Sequence, residues 1–324
     1  TRGVRALGSA LASSRMLVVG LWHVALAPCA PTRVGRVRQP PTMVADPTAR
    51  LPRVPQSPEE MVEHAARAVA RGAAAGALRQ TVRVVVPDDK RAYKVFGAVE
   101  IQGTSAPEDL DPWPGGLLQQ YPIALDLGRR LLAGVTGASE RAVTDQVLNA
   151  EDGCGLILAQ GSTPAEDAAC LLFPGTDQLA DLIKVNGMAK GRLLCLLNPQ
   201  FKRLEDFSLW QRAEAKEAYF DQGYELGYAF EEFGCRGEDV QLVGEWGLGW
   251  RAFVLLDAAN PEALPLHDGC LETRPEYAWL EAQINERHPQ PRWARQLSKV
   301  DSQGLRFLRK PEEGAEGSEG EAGK

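Results

Sequence analysis

The sequence lacks the motifs by which common catalytic sites are identified. It has no G-x-x-x-x-G-K-[ST] phosphate loop, no G-x-G-x-x-G after a predicted strand, no G-x-S-x-G nucleophile turn and no H-E-x-x-H zinc motif. Its four histidines are far apart, so a histidine-based triad or metal site would need residues from distant segments. We therefore assign no catalytic residue, metal ligand or cofactor from the sequence, and a binding function is favoured over catalysis.

Acidic residues and lysine are absent from the first 45 residues, which contain six arginines. The apolar residues 16–27 end in Ala25-Leu-Ala27, a pattern typical of a secretory signal, and the basic residues 32–42 are typical of a transit peptide. A signal followed by a transit peptide predicts import into a plastid, so residues 1–50 are interpreted as a targeting segment and linker. The alternative is a short membrane anchor, although about a dozen residues are fewer than the ~20 that cross a bilayer.

A positive charge balance is also missing from the rest of the chain. The whole sequence has 43 acidic and 36 basic residues, and the remainder is more acidic once the six N-terminal arginines are set aside. Nucleic-acid binding needs a basic surface, so a nucleic-acid partner is not expected. No apolar run after Ala27 reaches the length of a membrane span. The mature protein is therefore expected to be soluble and at most peripheral to a membrane.

Length and composition predict one folded domain. Residues 51–300 are long enough for a single α/β domain with a substantial core. Residues 301–324 are rich in glutamate and glycine and too hydrophilic to pack, so a disordered acidic tail is expected there. The six cysteines include no C-x-x-C pair, and Cys170 and Cys195 lie in apolar runs. Buried structural thiols are expected, with redox regulation as the alternative.

The middle of the chain has the pattern of a buried parallel sheet. Residues 168–173, 177–188 and 192–197 read as an apolar run, an amphipathic helix and a second apolar run, which predicts a β–α–β unit. Residues 81–86 predict another strand, and residues 240–256 predict two antiparallel strands. The expected fold class is therefore α/β: a mostly parallel sheet with helices on both faces and an antiparallel C-terminal edge.

Further helices are predicted over residues 57–70, 117–132, 139–149, 209–233 and 276–287. At the start of the first helix, Ser57 and Glu60 predict a capping box, and Pro58 suits the first helical position. His64 on this helix has no partner nearby in sequence and is expected at the surface.

Polar residues follow three of the predicted strands at their carboxyl ends. In open parallel sheets, ligands bind outside the carboxyl ends of strands. The candidate ligand-binding residues are therefore Asp88, Asp89, Thr176, Asn198 and Gln200. The alternative is that these residues serve only as turn formers, since aspartate, asparagine, glycine and proline are common after strands for that reason.

The aromatic helix predicted over residues 209–233 is the candidate partner-binding face. Its part from Tyr219 to Phe233 carries six aromatic residues, and a single amphipathic stripe can bury only part of them. Tyr219, Tyr224 and Tyr228 are the candidate partner-binding residues, because aromatic anchors dominate many protein interfaces. The alternative is that all six pack on the protein's own sheet.

The order of these elements resembles a plastid and cyanobacterial domain of unknown function. The resemblance rests on the strand exit Asn198-Pro-Gln200-Phe201 and on the C-terminal strand with Trp250-Arg-Ala-Phe253, and it covers about residues 57–256. That family includes a low-photosystem-II-accumulation assembly factor and occurs beside a chloroplast adenylate kinase domain. The Phe-Pro-Asp and Tyr-Pro-Gly segments of the family are not found in this chain.

This resemblance implies a plastid protein of the stroma, with association to the thylakoid as an option, that takes part in the biogenesis of a photosystem. It supplies no established catalytic residue. The expected function is a non-enzymatic assembly or accessory factor that binds subunits of a photosynthetic membrane-protein complex. The alternative is a plastid enzyme that binds a nucleotide or a phosphorylated metabolite at the strand ends.

Overall fold

The computed structural model describes residues 43–44, 51–86, 117–139, 142–255 and 262–299. The chain divides into two units, Thr1–Gln39 and Pro40–Lys324, and all of the described residues lie in the second. The expected acidic tail over residues 301–324 lies outside the described residues. Met43 and Val44, within the segment interpreted as targeting sequence and linker, pair with Leu271 and Cys270. The sheet therefore includes two residues that precede the predicted start of the domain.

Eleven strands of the described residues form one mixed sheet. The order is β1-β11-β9-β8-β7-β2-β6-β5-β4-β3, and β10 pairs with β9 outside this path. The strands are β1 (Met43–Val44), β2 (Arg79–Arg83), β3 (Val143–Asn149), β4 (Cys154–Ala159), β5 (Ala168–Leu172), β6 (Leu193–Leu197), β7 (Glu225–Cys235), β8 (Glu238–Glu245), β9 (Gly249–Leu255), β10 (Ala263–Pro265) and β11 (Cys270–Leu271).

The centre of this sheet is parallel and its C-terminal edge is antiparallel, which confirms the predicted fold class. The four central strands β7, β2, β6 and β5 are parallel to one another. The C-terminal strands β8 and β9 are antiparallel, as predicted. The opposite edge, where β4 and β3 follow β5, is antiparallel as well, and the sequence had not predicted this second reversal.

Helices cover both faces of the sheet. They are α1 (Pro58–Ala74), α2 (Leu117–Thr136), α3 (Leu179–Met188), α4 (Arg212–Ala215), α5 (Tyr277–Arg287) and α6 (Arg292–Lys299). Helices α1 and α2 pack with the side chains of Cys170, Cys195 and Leu197, whereas α3 packs with Leu194 and Leu196. Successive side chains of a strand point to opposite faces, so the central strands are buried on both sides. The α5 helix packs against the C-terminal strands.

The predicted β–α–β unit is confirmed in β5, α3 and β6. The two strands are parallel neighbours with Leu172 opposite Leu197. All residues of both strands are buried, which explains their continuous apolar sequence. Burial on both faces leaves no solvent-facing position for a polar residue, so the run itself identifies a central strand.

Ser57 caps α1 as predicted, but the Glu60 carboxylate accepts from the Gln56 N–H at 2.6 Å and not from Ser57 as a capping box requires. The Ser57 hydroxyl accepts a hydrogen bond from the Glu60 N–H at 3.1 Å, and Pro58 is the first helical residue. His64 is not at the surface, which corrects the prediction. His64 is only 2 % exposed. It lies in line with Met61, Ala65 and Ala68 on the buried stripe of α1. The spacing of three and four residues within this stripe was the sequence signal that the prediction for His64 overlooked.

The helix predicted over residues 139–149 is wrong. Residues Val143–Asn149 form the edge strand β3, which is antiparallel to β4. Most of β3 is exposed, so its sequence lacks the apolar run of a central strand. Pairing with β4 decides the conformation, and this pairing is a tertiary effect that local propensity does not report.

The long aromatic helix predicted over residues 209–233 is wrong as well. Its helical part is only α4 followed by a π-helical turn at Lys216–Phe220. Gly223 then adopts φ +69°, a left-handed conformation that ends helical structure, and β7 begins at Glu225. The six aromatics are therefore divided between this turn, the loop that follows it and a central strand.

Candidate functional site

The carboxyl ends of β5, β6 and β2 lie side by side. Leu197, the last residue of β6, pairs with Leu172 of β5 and with Val82 of β2. The exits are also linked beyond the strands, because the Gln200 N–H donates to the Pro174 carbonyl at 2.9 Å. The predicted convergence of strand exits is thus present for β5 and β6. Asp88 and Asp89, predicted after the strand that is now β2, lie outside the described residues.

Asn198 extends the pairing of β6 with β2 through its side chain. Its Oδ1 accepts from the Val84 N–H at 2.8 Å, and its Nδ2 donates to the Val84 carbonyl at 2.9 Å. Its own N–H donates to the Val82 carbonyl at 2.8 Å. The side-chain amide therefore substitutes for one more residue of a strand. Of the two interpretations of Asn198, the geometry favours the structural one, since both of its amide atoms are already bonded.

Both neighbouring strands leave the sheet through a left-handed residue. Asn198 has φ +50° and Phe173, directly after β5, has φ +48°. Asparagine tolerates this region, but a bulky aromatic residue adopts it uncommonly. Phe173 is held there by burial and by its N–H, which donates to the Leu197 carbonyl at 2.9 Å. Such backbone outliers cluster at functional sites, so the exits of β5 and β6 form a candidate functional site.

A cleft of 450 Å³ opens at these exits. We call it the strand-exit cleft; it is lined by Arg83, Leu117, Gln120, Phe173, Asn198, Pro199, Gln200 and Lys202. Two of the predicted ligand-binding residues, Asn198 and Gln200, are thus brought together. Among the described residues that line it, two are cationic, three carry amides and none is acidic.

The two cations of the cleft were missed by the sequence reasoning. Arg83 is the last residue of β2, and within the described residues its single hydrogen bond runs from Nη2 to the Phe201 carbonyl at 3.4 Å. Lys202 is positioned by its N–H, which donates to the Asp206 carboxylate at 2.7 Å. This bond and one from the Arg203 N–H lower the pKa of Asp206. A basic residue four positions after Asn198 was the available signal for Lys202.

Thr176 does not line the strand-exit cleft. Its carbonyl accepts from the Gln211 side chain at 3.3 Å. The loop before α3 is closed internally, because the Gly175 N–H donates to Gln178 Oε1 at 2.8 Å and Gln178 Nε2 donates to Asp152 at 2.9 Å. The Gly175 N–H is therefore not free to receive a phosphate at the start of α3, where dinucleotide-binding folds bind one.

The three candidate partner-binding tyrosines pack into the protein. Tyr228 on β7 is fully buried, and burial raises its pKa well above the ordinary value. The Tyr224 hydroxyl donates to Asn186 Oδ1 at 2.9 Å, and the Tyr219 ring lies 4.9 Å from the rings of both Phe201 and Tyr224. The structure favours the alternative in which these aromatics pack on the protein's own sheet.

Among the described residues, Leu209 and Trp210 are the most exposed large apolar side chains. Their exposed fractions are 73 % and 92 %. The flanking residues close a turn, because the Gln211 N–H donates to the Ser208 carbonyl at 3.0 Å and the Ser208 hydroxyl donates to Gln211 Oε1 at 2.7 Å. Phe207, directly before this turn, is buried. We call residues 208–211 the Leu209–Trp210 turn; it presents two apolar side chains from a fixed base.

Two other findings concern the rest of the described residues. Their histidine, cysteine and acidic side chains form no group of three that could hold a metal ion. Their five cysteines are buried and unpaired, and burial raises the pKa of Cys154 and of Cys195 to about 12. The expectation of buried thiols is confirmed for these residues.

None of the described helices combines the length and the apolar character needed to cross a membrane.

Comparison with known families gives one match. A family model described as a domain of unknown function, DUF1995, matches residues 55–277. The matched region extends from just before α1 to the start of α5 and therefore contains the strand-exit cleft and the Leu209–Trp210 turn. No curated protein and no solved structure matches the chain.

Proposed function

We propose that this chain, which belongs to the DUF1995 family, is a plastid accessory or assembly factor that binds a subunit of a photosynthetic membrane-protein complex. Two sequence features support the plastid and the photosystem: the signal-and-transit pattern of the first 50 residues and the resemblance to a family that includes a photosystem II assembly factor. In this proposal the protein acts in the stroma and reaches the thylakoid through its partner.

The observation that carries the binding function is the Leu209–Trp210 turn. Tryptophan is strongly enriched among the residues that dominate protein interfaces, because it buries a large rigid surface at low cost in conformational entropy. A tryptophan that is 92 % exposed leaves most of its apolar surface in water in the free protein. Covering Trp210 and Leu209 with a partner removes that surface from water, which favours association.

The experiment is co-purification of photosystem subunits with the tagged mature protein from detergent-solubilised thylakoids. Leu209→Ser and Trp210→Ala are compared with the parent. The matched control is Trp293→Ala, because Trp293 on α6 is also an exposed tryptophan, at 68 %, but lies far from the turn in sequence.

We expect the two variants of the turn to lose at least ten-fold of the recovered photosystem subunits, since a well-packed aromatic anchor contributes about 2 kcal/mol or more to binding. The Trp293 variant should recover them as the parent does. Equal recovery by all three variants, with folding intact, would exclude the turn as the binding surface. If the parent recovers no photosystem subunit, the proposed partner is wrong.

The alternative function, a plastid enzyme that acts on a nucleotide or a phosphorylated metabolite, is favoured by a different observation. Arg83 and Lys202 line the strand-exit cleft, and its described lining residues include no acidic side chain. An enzyme of this class should turn over such a substrate, whereas the accessory factor need not. The cleft is a candidate binding site under either function.

A further inference from the structure

We propose that the strand-exit cleft binds a small phosphate ester, with Arg83 and Lys202 contacting the phosphoryl group and Gln200 contributing a hydrogen bond. The inference does not depend on the proposed assembly function, because it concerns a different surface of the chain. The class of ligand follows from the charged and polar side chains of the cleft and from its size.

The charge of the cleft differs from that of the chain as a whole. The formal net charge is −7, and other described arginines such as Arg71, Arg274 and Arg292 each pair with a carboxylate. The Arg83 guanidinium and the Lys202 ammonium form no ion pair among the described residues, although both residues line the same 450 Å³ cleft and the Asp206 carboxylate accepts from the main-chain N–H of Lys202. Two cations that line one cleft and form no ion pair among the described residues give a local positive potential, which favours an anionic ligand.

The identity of the two cations favours a phosphoryl group. The planar guanidinium of arginine presents paired N–H donors that match the oxygens of a phosphate, and lysine adds a compact point charge. The Arg83 side chain has one long hydrogen bond, to a carbonyl, so most of its N–H donors are not used by the described residues. Gln200 Nε2 donates to the Asn198 carbonyl at 2.6 Å. Gln200 Oε1 is therefore the atom that accepts a hydrogen bond from a hydroxyl of the ligand in this proposal.

The size and the apolar part of the cleft favour an ester over inorganic phosphate. Its volume of 450 Å³ lies within the ordinary range of small-molecule sites and exceeds the space of one phosphate ion. Leu117, which is partly exposed, supplies apolar lining together with the buried Phe173 and Pro199. These side chains suit the carbon skeleton of a sugar or nucleoside, whereas a bare phosphate gains nothing from them.

The site is held rigidly before any ligand arrives. The side chain of Asn198 fixes the end of β2 next to Arg83, and the Asp206 carboxylate fixes the main chain of Lys202. Both anchors use hydrogen bonds within the fold. Preorganisation of this kind reduces the entropy lost on binding.

The test is isothermal titration of the mature protein with AMP and ribose 5-phosphate, with inorganic phosphate, adenosine and ribose as reference ligands. The variants are Arg83→Met and Lys202→Met. The control is Arg203→Met, because Arg203 is adjacent to Lys202 but does not line the cleft. Circular dichroism and the thermal midpoint report whether each variant folds as the parent does.

We expect at least one of the two esters to bind, and each variant of the cleft to weaken that binding about ten-fold or more, since a hydrogen bond to a charged group is worth about 1.5–3 kcal/mol. The Arg203 variant should stay within about two-fold of the parent. Added salt should weaken binding, because the attraction is electrostatic.

Three results would overturn the proposal. The first is no binding of either ester at millimolar concentration, and the second is equal binding by the parent, Arg83→Met and Lys202→Met. The third is equal affinity for inorganic phosphate and for the esters, which would identify an anion site without recognition of an organic group. Loss of photosystem co-purification with ester binding intact would contradict the proposed function but leave this inference standing.

Discussion

Replacing Asn198 with alanine removes two hydrogen bonds that join the end of β6 to the chain after β2. The Oδ1–Val84 N–H bond is 2.8 Å and the Nδ2–Val84 carbonyl bond is 2.9 Å. Alanine leaves both main-chain groups of Val84 without these partners in a part-buried position. The change also places a Cβ-bearing residue without a compensating side-chain bond at φ +50°.

The two lost hydrogen bonds and the left-handed backbone conformation together determine how much stability Asn198→Ala loses. A hydrogen bond contributes about 0.5–1.5 kcal/mol net, so the loss of two costs about 1–3 kcal/mol. A left-handed conformation costs an ordinary residue roughly 1–2 kcal/mol, and asparagine tolerates it better than alanine does. We therefore expect Asn198→Ala to lower the free energy of unfolding by about 2–4 kcal/mol.

Urea unfolding of the mature protein, followed by circular dichroism, measures this difference. Asn198→Gly separates the two terms, because glycine adopts φ +50° freely but cannot bond Val84. It should lose less stability than Asn198→Ala. Gln200→Ala is the control, since Gln200 is exposed and should change stability by under about 0.5 kcal/mol. A loss below about 1 kcal/mol in Asn198→Ala would refute the structural role assigned to this side chain.

Three further predictions concern a core leucine, a buried histidine and the N-terminal segment. Leu196→Ala should cost about 2–5 kcal/mol in urea unfolding, because Leu196 is fully buried in β6; a loss under half of the lower value would contradict its place in the core. Burial lowers the pKa of His64, opposed by Glu245 and Glu60, so the unfolded chain takes up a proton more readily than the folded one. Stability should therefore fall as the pH drops from about 7.5 through the ordinary histidine pKa of ~6.5, and then level off below the folded pKa. His64→Gln should flatten this fall, and an unchanged pH profile would show that His64 does not contribute. A fusion of residues 1–50 to a fluorescent protein should accumulate in plastids, and retention of the fusion in the secretory pathway or the cytosol would contradict the targeting interpretation.

The sequence was informative where local pattern and burial coincide. In β5 and β6 every residue is buried, so the apolar runs alone identified two central strands and the helix between them. The start of α1 was predictable from local pattern as well, because Ser57, Pro58 and Glu60 lie close together in sequence. In β3 only Val143 is buried, and the strand exists because β4 pairs with it. No local pattern distinguishes such an edge strand from a polar helix.

The candidate site was predictable only in part, and for a related reason. Asn198 and Gln200 follow a strand that the sequence identifies, so their position at the sheet end could be inferred. Arg83 joins them because β2 pairs in parallel with β6 although 110 residues or more separate the two strands. Such long-range parallel pairing determines which side chains share a cleft, and a single sequence without its sheet order does not reveal it.

The segment after β6 carries both surfaces that we assign, yet each is fixed by its own contacts. Lys202 is held by the Asp206 carboxylate, whereas Leu209 and Trp210 are held by the closed turn between Ser208 and Gln211. The buried rings of Phe201, directly before Lys202, and of Phe207, before the turn, lie 4.9 Å apart and anchor the segment to the core. A substitution at Lys202 therefore leaves the bonds of the turn intact, and one at Trp210 leaves the cleft intact. Because these contacts are separate, the effects of distant single substitutions should be independent, and ligand binding and partner binding can be tested one without the other.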